Sequence, residues 1–300
     1  MTTQELNDLC ADIRARILEV VSSNGGHLSS SLGAVELIVA MHYAFDPASD
    51  PFIFDVSHQA YAHKLLTDRW DSFSTLRAFG GVSGFTKPKE SAFDYFVAGH
   101  SSTSVSVAVG AAKAIALKGQ KRTPVVLIGD GALSAGMVYE ALNELGERKY
   151  PMVIIINDNE MSIARPIGAI SRYLSHAIAA PWFQKLKSMI DSAISDNETL
   201  LYLAKRFEES LRLITPGILF EELGLDYIGP VNGHDIEDLI VTLLRAKDMG
   251  KPVVVHTQTT KGKGYDIAQG KQEHWHGVGP FDKESGKPLK TSGAKSATAI

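Results

Sequence analysis

The chain has 300 residues, 44% of them apolar, with 30 Lys and Arg against 34 Asp and Glu. Those proportions are ordinary for a globular protein and exclude a largely disordered one. A formal net charge of −4 provides no broad basic field for a phosphate backbone, so nucleic acid is not an expected partner. The lone Cys10 excludes an internal disulfide and any thiolate-built metal cluster.

In chain order, residues 4–22 read as an amphipathic helix carrying acidic residues, not as a basic leader. No apolar run reaches the roughly 18–20 residues of a bilayer span, so the expected compartment is a reduced cytoplasm, with no membrane partner. A second helical pattern covers 32–44. PFIFDVS (51–57) is a short apolar run, followed by a helical pattern at 58–68 and another apolar run, YFVAG (95–99). The alternation continues with a helix at 101–118, PVVLIGD (124–130), a helix at 133–148 and PMVIIIND (151–158). Residues 170–189 and 198–213 carry helical patterns with no strand, predicting a helical insertion at about 170–215. A helix at 235–249 and PVVVHTQ (252–258) complete the pattern. Nearly unbroken Val and Ile runs suit strands covered on both faces, so the sequence predicts an α/β fold around a mostly parallel sheet flanked by helices. One domain is expected over 1–280. Residues 281–300, small, polar and basic, read as a linker towards something further.

In open parallel sheets, ligands sit at the carboxyl ends of strands. Those ends read DVSHQ (55–59), AGHSSTS (98–104), GDGALSAG (129–136), NDNEMS (157–162) and TTKGKGY (259–265). Turn chemistry accounts for any one of them alone, but five at one sheet edge point to a site. Gly129 and Gly131 resemble a dinucleotide fingerprint, yet Asp130 lies between them and Ser134 replaces the third glycine. A carboxylate there repels a diphosphate unless a cation intervenes. If the next strand is a neighbour, its end lies roughly 5 Å away and brings Asn157–Asp158–Asn159 opposite Asp130. A carboxylate, a carboxamide oxygen and a loop carbonyl, completed by phosphate oxygens and water, suit octahedral Mg²⁺.

Gly129-Asp130-Gly131 with Asn157-Asp158-Asn159 resembles the thiamine diphosphate motif. The surrounding blocks GGHLSSSLGAVEL (25–37), SHQAYAHKLLT (57–67), GHSSTSVSVAVG (99–110), NDNEMSI (157–163), FEELGLDYIGPVNGHD (220–235) and TTKGKGY (259–265) narrow it. From about Leu6 to Pro280 the chain resembles the N-terminal, diphosphate-binding domain of the 1-deoxy-D-xylulose-5-phosphate synthase family. The resemblance implies the thiamine diphosphate-binding fold and, as metal ligands, Asp130, Asn159 and the carbonyl of Met161. It implies a cofactor cradle of His58, Gly99, His100, Ser101, Gly131, Ala132, Asn159 and Lys261, with Tyr265 closing the pocket. His27 and His276 resemble substrate-side catalytic histidines. His63, His234 and His256 are read as structural. Ser31 and Ala164 depart from the family's usual glycine and serine, which puts local loop geometry in doubt and not the chemistry.

The activity implied is decarboxylative condensation of pyruvate with D-glyceraldehyde 3-phosphate, giving 1-deoxy-D-xylulose 5-phosphate for isoprenoid and thiamine biosynthesis. The complete enzyme is expected to be a homodimer. The glutamate that ionises the cofactor in this family belongs to a second, pyrimidine-binding domain, and no glutamate here sits in a matching motif. The expectation is a first domain of a longer enzyme, incomplete for catalysis alone. Two alternatives remain: the N-terminal subunit of a two-chain transketolase, and a non-catalytic Rossmann module binding NAD without metal.

Overall fold

A computed structural model describes residues 1–159, 217–269 and 272–289. The 170–215 insertion, Met161 and Ala164 lie outside the described residues. Helix α1 (Thr3–Asn24) opens with a reciprocal cap. The Thr2 hydroxyl accepts from Glu5 N–H at 3.3 Å, and Thr2 N–H donates to the Glu5 carboxylate at 2.7 Å. Leu6, Cys10, Ile13, Ile17 and Val20 fall on its buried stripe. The pattern predicted at 32–44 divides at Ala34 into α2 (Ser29–Gly33) and α3 (Val35–Ala44). There follow β1 (Phe52–Phe54), α4 (Tyr61–Leu66), α5 (Ser104–Leu117), β2 (Val125–Gly129), α6 (Gly136–Arg148) and β3 (Met152–Asp158). The remaining elements are α7 (Ile218–Glu222), β4 (Asp226–Asn232), α8 (Ile236–Asp248), β5 (Pro252–Gln258) and the short α9 (Gln272–Trp275). Asp235 caps α8, its carboxylate accepting from the N–H groups of Glu237 and Asp238.

The described strands form one parallel sheet in the order β1-β2-β3-β5-β4. Side chains alternate between its faces with period two. Val125, Leu127, Val153, Ile155, Val253 and Val255 pack against α1, α3 and α8. Val126, Ile128, Ile154, Ile156 and Val254 pack against α5, α6 and Phe220 of α7. Connections after β2 and β3 thus cover one face, while those around β5 cover the other. Their divergence opens a crevice at the carboxyl ends of neighbouring strands.

Two expectations are corrected. YFVAG (95–99) is loop, not strand: among the described residues β1 pairs with β2 alone, and Val97 is 63% exposed. Thr86 donates its hydroxyl to the carbonyl of Phe96, and the Tyr95 hydroxyl reaches the carbonyls of Pro47 and Ala48. Conversely, DYIGPVN (226–232) forms β4, which the sequence reading passed over. Gly229 and Pro230 interrupt its apolar pattern, and the register shifts between Ile228 and Val231. Proline is tolerated there because β4 lies at the sheet edge.

The long loop between α4 and α5 is held by buried charges. The Asp94 carboxylate takes both terminal nitrogens of Arg69, at 2.8 and 3.0 Å, and the Lys87 N–H at 2.7 Å. Glu90 pairs with Lys64 and Arg69 and also accepts from Ser83 N–H. Residues 281–289 pack back on the sheet's helical cover, with Phe281 buried against Trp275 and Tyr265.

Candidate active site

A cavity of about 280 Å³ opens at the carboxyl ends of β1, β2 and β3 and beside the loop after β5. It is lined by His27, His58, Ser101, Asp130, Gly131, Ala132, Asn159, Lys261 and His276, with Ser30, Asp55, Gln59 and Asn157. A wider, more open depression of about 690 Å³ lies over residues 77–90, but its one carboxylate, Glu90, is spent on Lys64 and Arg69. The chemistry collects in the smaller cavity.

Asp130 opens a 3-10 turn (Asp130–Ser134) directly after β2 and is only 6% exposed. Burial, then the charge of Asp158, pushes its carboxyl up from the ordinary 3.8 to about 6, against the opposing pull of Lys261. Lys261 is likewise 6% exposed, so the solvated surface lysine that spacing alone favours is set aside. Burial pulls its ammonium down, and Asp130 partly restores it.

Gly129 pairs with Asn157 in register, and Asn157 with Thr257. This ladder brings the two motif halves together. The carboxamide oxygen of Asn157 already accepts from the Thr259 hydroxyl. That of Asn159 is buried with no hydrogen-bond donor among the described residues. Asp158 turns away towards His256, whose Nε2 lies 2.9 Å from its carboxylate and whose Nδ1 lies 2.7 Å from the Tyr227 hydroxyl. No cluster of three His, Cys, Asp or Glu side chains that could cage a metal occurs among the described residues. An octahedral cation with sparse protein ligation fits what is present: one buried carboxylate and one undonated carboxamide oxygen.

At the other end, His27, His58 and His276 form a triangle, with ring centroids 5.4, 5.5 and 5.1 Å apart. Each presents a buried Nδ1 without a hydrogen-bond partner among the described residues. Burial, reinforced by the neighbouring rings, pulls His27 down to about 4 and His58 to about 3, while burial and the charge of Lys261 lower His276. All three are neutral imidazoles at neutral pH, each with one nitrogen to donate and one to accept. Residues 26 and 278 exchange backbone bonds of 2.8 and 2.9 Å, and Phe281 N–H donates to Ser22 O, clipping His276 beside His27.

Not every predicted residue reaches the cavity. Gly99 and His100 are exposed near its mouth, beside Ser101. Tyr265 is not among the residues that line the cavity; its hydroxyl donates to Lys283 O at 2.9 Å and its ring packs on Trp275. Met161 is outside the described residues. Asp55 is the functional neighbour that motif reading missed. It is 2% exposed, and its carboxylate accepts from Ser102 N–H, Ser104 N–H and the Ser104 hydroxyl. The Ser102 hydroxyl in turn donates to Ala132 O at 2.8 Å. Ser102 has φ = 71°, costly for a non-glycine residue, and these bonds hold it there while presenting Ser101. A strand-end carboxylate before SHQ is the only sequence signal for it.

With this geometry in place, comparison with known proteins is specific. Residues 1–259 match the family described as 1-deoxy-D-xylulose-5-phosphate synthase. The chain is 71% identical over 297 residues to the 1-deoxy-D-xylulose-5-phosphate synthase of Campylobacter hominis, covering 99% of this chain and 49% of that protein. It is 69% identical over 300 residues to that of Nitratiruptor sp., covering 100% and 50%. The chain thus spans about half the length of the curated relatives it matches. Among solved structures, transketolase from Campylobacter jejuni aligns with a TM-score of 0.69 at 21% identity, over 93% of this chain and 41% of that one. Transketolase from Leishmania mexicana aligns at 0.67 and 20%, over 99% and 43%. At such identity the likeness is one of fold.

Proposed function

The chain belongs to the 1-deoxy-D-xylulose-5-phosphate synthase family, and from that premise we propose that it supplies the diphosphate- and magnesium-binding half of such an enzyme. The whole enzyme condenses pyruvate with D-glyceraldehyde 3-phosphate, releasing CO₂ and forming 1-deoxy-D-xylulose 5-phosphate. The observation that carries the reading is the undonated Asn159 oxygen in the same cavity as the buried Asp130 carboxyl, whose ionised form Lys261 only partly compensates. A hard divalent cation satisfies both at once.

In this reading Asp130 and Asn159 hold Mg²⁺, with the Met161 carbonyl as third ligand. Gly131 lets backbone N–H groups approach the diphosphate, and Ser101 and Lys261 meet its remaining charge. Thiamine diphosphate, when bound, supplies stabilisation of the carbanion that decarboxylation leaves behind. His27 and His276, held neutral, would each offer a donor and an acceptor nitrogen to substrate hydroxyl and carbonyl oxygens without adding charge, and His58 would pack against the cofactor. Turnover belongs to a homodimeric, cytoplasmic protein that also contains the remaining half of the relatives' length; the chain alone binds the cofactor weakly and turns over slowly. No described helix is long and apolar enough to cross a membrane.

Calorimetric titration of the chain with thiamine diphosphate and Mg²⁺, repeated with EDTA and with NAD, tests this. Metal-dependent binding of the diphosphate is expected. Metal-independent NAD binding would support the Rossmann alternative and overturn the proposal.

A further inference from the structure

His234 lies outside the cavity, in the turn between β4 and α8, where its own N–H donates to the Asn232 carboxamide oxygen at 3.0 Å. Its ring is held at both nitrogens. Nε2 lies 2.8 Å from Thr260 N, and Nδ1 lies 3.1 Å from the Glu36 carboxylate. A backbone N–H only donates, so Nε2 is the acceptor. The proton of the neutral ring is therefore on Nδ1, donating to Glu36. Glu36, 6% exposed, is also paired with Arg14 of α1. A relay thus crosses α1, α3 and the β4–α8 turn and ends on the amide immediately before Lys261.

That amide needs an acceptor. The ladder between β3 and β5 ends with Thr259 N–H donating to Asp158 O at 2.8 Å, and the next N–H, that of Thr260, goes to His234. Beyond the lysine, Gly262 N–H donates to Ser29 O at 2.8 Å. The backbone of Gly33 abuts the next peptide, Thr260–Lys261: a Cβ there would lie 2.9 Å from Thr260 O and 3.2 Å from Lys261 Cα. Lysine carries its charge on a flexible four-carbon stem, so the placement of its ammonium depends on how firmly its Cα is fixed.

We propose that His234 is a positioning residue, which by accepting the Thr260 N–H sets the peptide from which Lys261 enters the cavity towards a diphosphate. The inference rests on the reading that Lys261 meets the cofactor's diphosphate. The test is calorimetry of thiamine diphosphate with Mg²⁺ on the unaltered chain, His234→Leu, His234→Gln, Lys261→Met and the double variant His234→Leu/Lys261→Met. His234→Leu is expected to weaken binding about three- to tenfold, the value of one neutral hydrogen bond. His234→Gln restores it, because its carboxamide oxygen takes the place of Nε2. The double variant binds no more weakly than Lys261→Met, since the histidine acts through the lysine. Unchanged affinity in His234→Leu, or losses that add in the double variant, would overturn the inference. Should His234→Leu fail to fold, His234→Asn replaces it. One methylene shorter than Gln, it falls short of Thr260, and equal affinity of the Asn and Gln variants refutes the role. Absence of binding by the unaltered chain would instead overturn the cofactor reading, and the inference with it.

Discussion

Replacing Asp130 by asparagine should make the metal-free protein more stable while destroying its site. The carboxyl, nearly isosteric with the carboxamide, is pushed from 3.8 to about 6 by burial and by Asp158. The folded protein therefore holds this proton more tightly than the unfolded chain does. Its ionisation costs nothing below about pH 4, and the cost grows as pH rises to about 6 and is complete above it. Two pKa units correspond to about 3 kcal/mol at neutral pH, an upper figure because the carboxylate also accepts from Gly131 N–H. At about 1.6 °C per kcal/mol for a chain of this size, Asp130→Asn should melt up to roughly 5 °C above the unaltered chain at pH 7.5 in EDTA. Below about pH 3.5 the difference should vanish. Taking the difference at each pH cancels the titration of groups that do not feel Asp130 and leaves its own titration together with that of Asp158 and Lys261. Adding Mg²⁺ and thiamine diphosphate should reverse the order, because only the aspartate gains from the ligand. A lower melting temperature for Asp130→Asn at pH 7.5, or a difference independent of pH, would refute the claim that this carboxylate is held under electrostatic stress.

Three further outcomes can be checked. Asp94→Ala removes one of the two carboxylates that Arg69 and Lys64 share, leaving Glu90 as the other, and should cost about 3 kcal/mol in denaturant unfolding; a change below about 1 kcal/mol would show the network to be dispensable. Gly33→Ala forces the Thr260–Lys261 backbone to shift, so cofactor affinity measured by calorimetry should fall several-fold while α3 and the sheet keep their circular dichroism. His27 and His58, drawn down to about 4 and about 3, should show unchanged imidazole ¹⁵N shifts from pH 8 to pH 5.5; a midpoint near 6.5 would mean solvated rings. The unfolded chain does take up those protons, so the histidines' stabilising contribution is present above about pH 6.5 and is lost as the pH falls.

How much was legible follows from where each residue's partners lie in the sequence. Strands β2, β3 and β5 are covered on both faces, which leaves unbroken Val and Ile runs that need no periodicity to be seen. Edge strand β4 carries Gly229 and Pro230 and reads as loop, whereas Tyr95–Gly99 is as apolar as a strand but has no neighbour to pair with. Asp130 and Asn159 were readable together because consecutive strands of a βαβ unit are neighbours and bring their ends together. Asp55 was not. Its role depends on the Ser102 turn folding back onto β1, which no local spacing encodes. The same holds for Tyr265, whose destination was fixed by residues 281–283, and for His234, whose partners come from α3 and from beyond β5.

The backbone clip between Gly26 and Val278 also orders events in time. A chain emerging from the ribosome at about 5–20 residues per second exposes His27 and His58 early, and the strands that carry Asp130 and Asn159 well before the end. His276 and the segment that pins it emerge after all of these. Until residue 278 has left the exit tunnel, the imidazole triangle lacks one corner and the amide of Gly26 lacks its acceptor. The chemical end of the cavity is thus completed by the final part of the described chain, so a nascent or prematurely terminated product cannot assemble it.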